Sequence, residues 1–455
     1  MSNKQLNLFD LAMIVVSLVI GMGIFRTPVV AAARTGTPLL FFLAWLVGGG
    51  IALCGGLIYA EIGSRYPVTG GYYKIFSYGY HPSLAFAINC IVLVSNAGST
   101  AVVGLIGAEY IGRFFYHDTA APELFRQLVT MGGIAFFFII NLLGLRMSSR
   151  VQNILTVFKI LLVLLLLTAL FGHHPLAAHP AGAGLTGIGG LHPGWLKAFG
   201  FGLVAVSFSY GGYQQTINFG GDVRNPGRTI PRGIGYGVML IIVLYLSLNF
   251  VYVKVIGFEQ LKTADSIAAI LMNHLFGPAG DTLLRILMFL SVMAYVNVSL
   301  MSNPRVMYAM SDEGILPAAF RKKTAGRDVI VWSLTAFSAA MILTLLFSST
   351  VEKIINYTIF LDSIGFATSA STIFILRRRR TGEERDIYRM KFYPLVPVIF
   401  ILAYVCVATS IVLDDPSSAL YGAGIFAFCF LLYFVLRARQ RLRNAGTPDI
   451  RYPRE

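Results

Sequence analysis

The amino-acid sequence predicts an all-α membrane protein of about twelve transmembrane helices, on three observations. Of its 455 residues, 56% are hydrophobic and only 13% charged, more apolar side chain than a soluble domain of this size can bury. The apolar residues gather into runs of about 20, the length that crosses a bilayer core. The Lys and Arg residues fall almost entirely in the gaps, mainly in alternate ones.

Taken in order, the runs are Phe9 to Ala32, Leu39 to Tyr59, Ser83 to Leu105, Leu128 to Leu145, Val151 to Phe171 and Trp195 to Phe219. They continue with Gly233 to Ile256, Leu283 to Met307, Val329 to Phe347, Ile354 to Leu376, Leu395 to Val412 and Ala419 to Leu436. The polar start, Met1 to Asn7, leads into an apolar stretch that continues past any small-residue cleavage site, so the first run is expected to remain as a span. With the N-terminus in the cytoplasm, 26 of the 36 Lys and Arg residues lie on that side and nine on the other, with Lys159 inside the fifth run. That asymmetry predicts cytoplasmic N- and C-termini, an even number of spans and residence in the cell (inner) membrane. The net charge of +15 therefore reads as topology, and no nucleic-acid partner is expected.

Two spans carry glycines where a helix should be least disturbed: the first at Gly21-Met22-Gly23 and the sixth at Gly211-Gly212. At about 1.5 Å per residue, Gly21 lies roughly 18 Å and Gly211 roughly 24 Å into its span, near the bilayer midplane. Glycine also serves close helix packing. Two breaks at corresponding places, one span running outward and the other inward, instead point to opposed five-helix halves with a binding site between them.

An unwound segment exposes amides at the start of the next half-helix and carbonyls at the end of the previous one. The amides of Met22, Gly23 and Ile24 suit a carboxylate, and carbonyls near Val19, Ile20, Phe208 and Tyr210 suit an ammonium. A zwitterionic amino acid meets both needs without an acidic side chain.

Other chemistry finds no motif. Cys54, Cys90, Cys406 and Cys429 all fall in apolar stretches without metal or redox spacing and read as buried, reduced packing residues. His81, His117, His173, His174, His179, His192 and His274 lie in loops or near span ends and read as surface residues. No phosphate loop, nucleophile elbow or paired catalytic carboxylate is present, so neither an enzyme nor an ATP-driven pump is expected, and no cofactor or metal.

The motifs resemble, in chain order, the L-type amino acid transporter branch of the amino acid, polyamine and organocation superfamily, including its bacterial serine/threonine and alanine-serine-cysteine exchangers. The matching pieces are Val19-Ile20-Gly21-Met22-Gly23-Ile24-Phe25, Ala60-Glu61-Ile62-Gly63 with Tyr66-Pro67 and Gly70-Gly71, then Val151-Gln152-Asn153 with Lys159. Further on come Phe208-Ser209-Tyr210-Gly211-Gly212-Tyr213, Asn225-Pro226 with Pro231-Arg232, Pro304-Arg305-Val306 with Gly314-Ile315-Leu316-Pro317, and Tyr393-Pro394. The resemblance covers nearly the whole chain. It implies a fold like the leucine transporter, a five-plus-five inverted repeat with broken helices 1 and 6. Residues 1–376 would form the transport core and 377–455 helices 11 and 12 with a cytoplasmic tail.

By the same resemblance, Val19, Ile20, Gly21, Met22, Gly23 and Ile24 stand at substrate-binding positions and Phe208 at the aromatic that closes over the substrate. Ser209, Tyr210, Gly211 and Gln214 would line the same pocket, and Asp222 matches an acidic position at a cytoplasmic gate. The sequence departs at Met22, where serine is usual, and at Tyr213, where tryptophan is common. A Met22 side chain facing the pocket would favour small substrates; facing away, it is packing. Relatives that carry a disulfide-linked partner use a cysteine between the third and fourth spans. Leu105 to Gln127 has none, so no covalently linked accessory subunit is expected.

An intramembrane lysine is a functional candidate by default. Lys159 matches the place where sodium-independent members put an ammonium in place of a coupling cation, so the resemblance implies transport without sodium; proton coupling through it and a purely structural tie stay open. Asp362 has no counterpart in the motifs and is left as facing the pathway, pairing with Lys353, or solvated. Glu109 and Arg285 read as structural. The expectation is a sodium-independent exchanger of small or medium neutral L-amino acids, with a proton-coupled amino acid symporter as the alternative. A carrier of basic substrates is disfavoured because no matched pocket position supplies a carboxylate.

Overall fold

A computed structural model of the protein describes residues 5–116, 121–171, 194–264, 266–324, 327–346, 348–379 and 387–444. Its helices are α1 (Leu8–Val19), α2 (Gly23–Thr35), α3 (Pro38–Arg65), α4 (Gly71–Gly79), α5 (Pro82–Phe115), α6 (Glu123–Leu142), α7 (Leu145–Leu167) and α8 (Trp195–Ser209). After them come α9 (Pro226–Val251), α10 (Phe258–Leu261), α11 (Ile267–Phe276), α12 (Pro278–Asp312), α13 (Val331–Leu346), α14 (Ser348–Arg378), α15 (Leu395–Asp414) and α16 (Pro416–Asn444). Among the described residues eight helices cross a bilayer by length and apolarity alone, namely α3, α5, α6, α7, α9, α12, α15 and α16. The pair α1 and α2 makes a ninth span, bent by 43° at its break. With α8, α13 and α14 the order reproduces the twelve expected spans.

The helix ends follow from local chemistry. Asn7 and Asp10 cap α1 reciprocally, each side chain accepting the other's amide at 3.0 Å. Gly36, at φ 72°, ends α2 in the left-handed region that a residue without Cβ adopts freely. Thr37 then caps α3, with Pro38 filling the first turn, where no amide bond is lost.

Spans five apart in the chain lie against one another: α2 on α8, α3 on α9, α5 on α12 and α6 on α13. This is the pairing that two opposed five-helix halves produce. The two broken spans touch at Gly212, where φ is 116° and a Cβ would stand 2.4 Å from the Leu18 carbonyl oxygen. Only glycine admits that approach.

Two features differ from the sequence reading. The second half of the sixth span is not an α half-helix but two 3-10 turns, Tyr213–Asn218 and Gly220–Asp222. Tertiary bonds replace its helical ones: the Asn218 side chain accepts the Tyr72 amide at 3.0 Å, and its carbonyl the Gly70 amide at 2.9 Å. Cys406 is exposed rather than buried, Cys54 and Cys90 are half-buried, and only Cys429 is buried as expected, because the outer face of a membrane helix is apolar too. Tyr404 and Val407 of α15 also line the central cavity.

Candidate functional site

A cavity of about 280 Å³ lies where the two breaks meet. From the first break it is lined by Val19, Gly21, Met22 and Gly23, and from the sixth span by Phe208, Ser209, Gly211 and Gln214. A Cβ on Gly23 would sit 3.1 Å from the Ser209 hydroxyl, so the two unwound segments form one wall. The Gly21 amide is taken by the Val19 carbonyl at 2.8 Å. The amides of Met22, Gly23 and Ile24 open α2 with no backbone acceptor among the described residues, an arrangement whose chemistry suits an anion.

Three of the expected pocket residues face elsewhere. Ile20 is fully buried in the core, and its carbonyl oxygen accepts the Lys159 ammonium at 2.5 Å. The Ile24 side chain is likewise buried away from the cavity. Tyr210 turns its ring to the scaffold, 5.8 Å from the Trp45 ring and 5.2 Å from that of Tyr245, and donates to the Trp45 carbonyl. The rotation of α8 that aims Phe208 and Ser209 at the cavity carries Tyr210 past it. The Val19 carbonyl accepts the Tyr245 hydroxyl at 3.1 Å, and the Phe208 carbonyl accepts the Gly211 amide at 3.2 Å. Gln214 folds back so that its side-chain oxygen accepts the Gly212 amide at 2.9 Å. Phe208 lines the cavity with 47% of its surface exposed. Met22 lines the cavity and also packs against the hydrophobic core on either side of it.

Lys159 sits wholly buried behind the first break, at the junction of the first, fifth and eighth spans. Besides Ile20, its ammonium donates to the Ser17 hydroxyl at 3.3 Å and the Ser17 carbonyl at 3.4 Å. Ser17 in turn donates to the Ala294 carbonyl of α12 at 3.4 Å. The Gln152 amide donates to the Ser17 hydroxyl at 2.6 Å, and Asn297 donates to Gln152 at 2.8 Å and accepts from Asn141 at 3.0 Å. The positive charge is thus held by oxygens of neutral groups, the donor set a desolvated small cation would take. Ser17, Asn141 and Asn297 were not singled out in the sequence; a row of polar residues in apolar helices was the signal that marked them.

Asp222 closes the end of the bundle that carries the N-terminus. Its carboxylate pairs with Arg305 Nε at 2.8 Å, and the Arg305 guanidinium lies 4.5 Å from the centre of the Phe219 ring. The amides of Gln5 and Leu6 donate to the Asp222 carbonyl at 2.9 and 3.1 Å. Two further ionic ties lie at this end. Glu61 accepts from Arg65, Arg377 and the Met390 amide, and Lys74 pairs with Asp312 at 2.8 Å and Glu313 at 3.2 Å. Burial works to lower the Lys74 pKa, but these two carboxylates outweigh it and hold it above the ordinary lysine value.

Asp362 lines the cavity and is the acidic residue that sequence reasoning placed but could not assign. The Lys353 side chain proposed as its partner lies outside the described residues. Glu109 pairs with Arg113 and Arg126, and Arg285 with Asp281, as structural ties. His81 caps α5, accepting the Ser83 amide at 3.2 Å, while His117, His173, His174, His179 and His192 lie outside the described residues. Among the described residues no group of His, Cys, Asp and Glu is arranged to hold a metal.

A bundle of apolar spans closing on a central cavity at two broken helices defines a membrane transporter. Residues 6–436 match the amino acid permease family, and the chain belongs to it. It is similar to the serine/threonine exchanger SteT of Bacillus subtilis, 26% identical over 417 residues, 91% of this chain and 92% of that one. It is also similar to the b(0,+)-type amino acid transporter 1 of Mus musculus, 22% identical over 95% of this chain and 88% of the relative. A third relative is the large neutral amino acids transporter small subunit 2 of Homo sapiens, 25% identical over 95% of this chain and 80% of that one. The protein is a multi-pass membrane protein that transports amino acids, in a family of transporters and not of enzymes.

Proposed function

We propose that the protein is a sodium-independent exchanger of small or medium L-amino acids, neutral ones included, working by alternating access. The observation that carries this is the Lys159 ammonium, 2.5 Å from the Ile20 carbonyl, which puts a fixed charge where a coupling cation would otherwise be needed. The substrate carboxylate is held by the amides of Met22, Gly23 and Ile24, and its ammonium by the free lone pairs of the Val19 and Phe208 carbonyls. Met22, facing the cavity, takes up volume and favours short side chains.

Phe208 closes over the loaded site, and the Asp222–Arg305 pair must part for release at the opposite end. The distribution of Lys and Arg supports cytoplasmic termini, which makes that end the inner gate of a cell-membrane protein. Residues 1–376 carry the moving halves, and 377–455 brace them, with α15 also walling the cavity.

The test is uptake of labelled alanine and serine into proteoliposomes in sodium-free buffer at equal pH on both sides. Uptake is expected only when an amino acid is present inside. Filling of empty vesicles under an imposed pH gradient would replace exchange by proton symport.

A further inference from the structure

We infer that Asp362 receives a second ammonium group of the substrate, so that short diamino acids are taken in preference to neutral amino acids of the same chain length. This deepens the amino acid transport reading above and depends on it. Asp362 lies in α14 and lines the cavity, with no ion pair or hydrogen bond among the described residues. Among the described residues it has no charged neighbour there: Tyr72, Tyr295 and Tyr404 interact with it electrostatically, and all three are neutral hydroxyls. Among the described residues no Lys, Arg or His lines the cavity, and the nearby Lys159 ammonium is committed to Ile20 and Ser17.

The cavity therefore holds one carboxyl group that has no counter-charge among the described residues. At membrane depth such a group is held ionised only when a cation pairs with it. The broken helices already satisfy both poles of a zwitterion, so the missing partner is an additional cation, not the substrate's α-ammonium.

The geometry places that cation on the side chain. Phe366 lies one turn from Asp362 on the same face of α14, about 6 Å along the axis. The Phe366 ring is 3.9 Å from where a Cβ on Gly211 would stand. Asp362 is thus about one helical turn beyond the break at which the α-groups bind. The cavity, about 280 Å³, equals roughly nine liquid-water volumes at about 30 Å³ each, room for a molecule of ornithine's size. The sequence-based objection to basic substrates was the lack of a carboxylate among the motif positions; Asp362 supplies one from a helix outside the motifs.

The experiment uses the purified full chain in proteoliposomes loaded with alanine, measuring inhibition of labelled alanine uptake by matched pairs: ornithine against norvaline, and 2,4-diaminobutyrate against 2-aminobutyrate. Each diamino acid is expected to inhibit at about tenfold lower concentration than its neutral match, the scale of one charge-assisted hydrogen bond. Asp362→Asn should bring that ratio to about one, and Asp362→Glu should retain a preference for the diamino acid. Thermal stabilisation of detergent-purified wild type by ornithine over norvaline reads the same preference without transport or a variant. The inference is overturned by a wild-type ratio near one, by a ratio that persists in Asp362→Asn, or by equal weakening of both members of a pair. Absence of alanine exchange together with ornithine-selective stabilisation would instead count against the exchanger reading and support the Asp362 assignment.

Discussion

Replacing Lys159 with methionine removes the ammonium while keeping an unbranched stem of similar length. The ammonium makes one short bond, 2.5 Å to the Ile20 carbonyl, and two long ones, 3.3 and 3.4 Å to Ser17. A hydrogen bond to a charged group is worth about 1.5–3 kcal/mol net, and the long pair adds little. Because every 1.4 kcal/mol is a factor of ten, loss of this tie should slow exchange by about ten- to a hundredfold. Stability should move much less, since burying the ammonium costs several kcal/mol that the methionine does not incur. The assay is counterflow of labelled alanine in sodium-free proteoliposomes, with the melting temperature of the purified variant measured alongside. A Lys159→Met protein that exchanges within about threefold of wild type would refute the coupling role. One that fails to fold would assign the lysine to structure alone.

Gly212→Ala should destabilise by about 1–3 kcal/mol or more, because φ is 116° and the new Cβ meets the Leu18 carbonyl at 2.4 Å; a thermal melt reads it. Asp222→Asn and Arg305→Gln should each speed release at the N-terminal end and weaken substrate retention about tenfold or more, as breaking a largely buried ion pair would. Combining Asp222→Arg with Arg305→Asp should recover part of that loss in the same exchange assay. Met22→Ala should enlarge the cavity and let leucine compete with alanine about tenfold better, measured by inhibition of alanine uptake.

What the sequence determined by itself is what the bilayer enforces locally. Twelve runs of span length and both glycine breaks were legible because a backbone in hydrocarbon must be helical. Lys159 stood out for the same reason, as a charge in an apolar run. Which way each side chain faces was decided only by the tertiary structure. Phe208 and Tyr210 are two residues apart, yet one reaches the cavity and the other packs on Trp45. Asp222 finds Arg305 across 83 positions, and Asp362 meets the cavity only because α14 packs on α5 and α15. The 3-10 path of the sixth span likewise depends on bonds to Gly70 and Tyr72. In a soluble helix the polar stripe announces the outer face. In lipid both faces are apolar, so periodicity carries little information about rotation, and orientation is set by close packing between residues far apart in the chain.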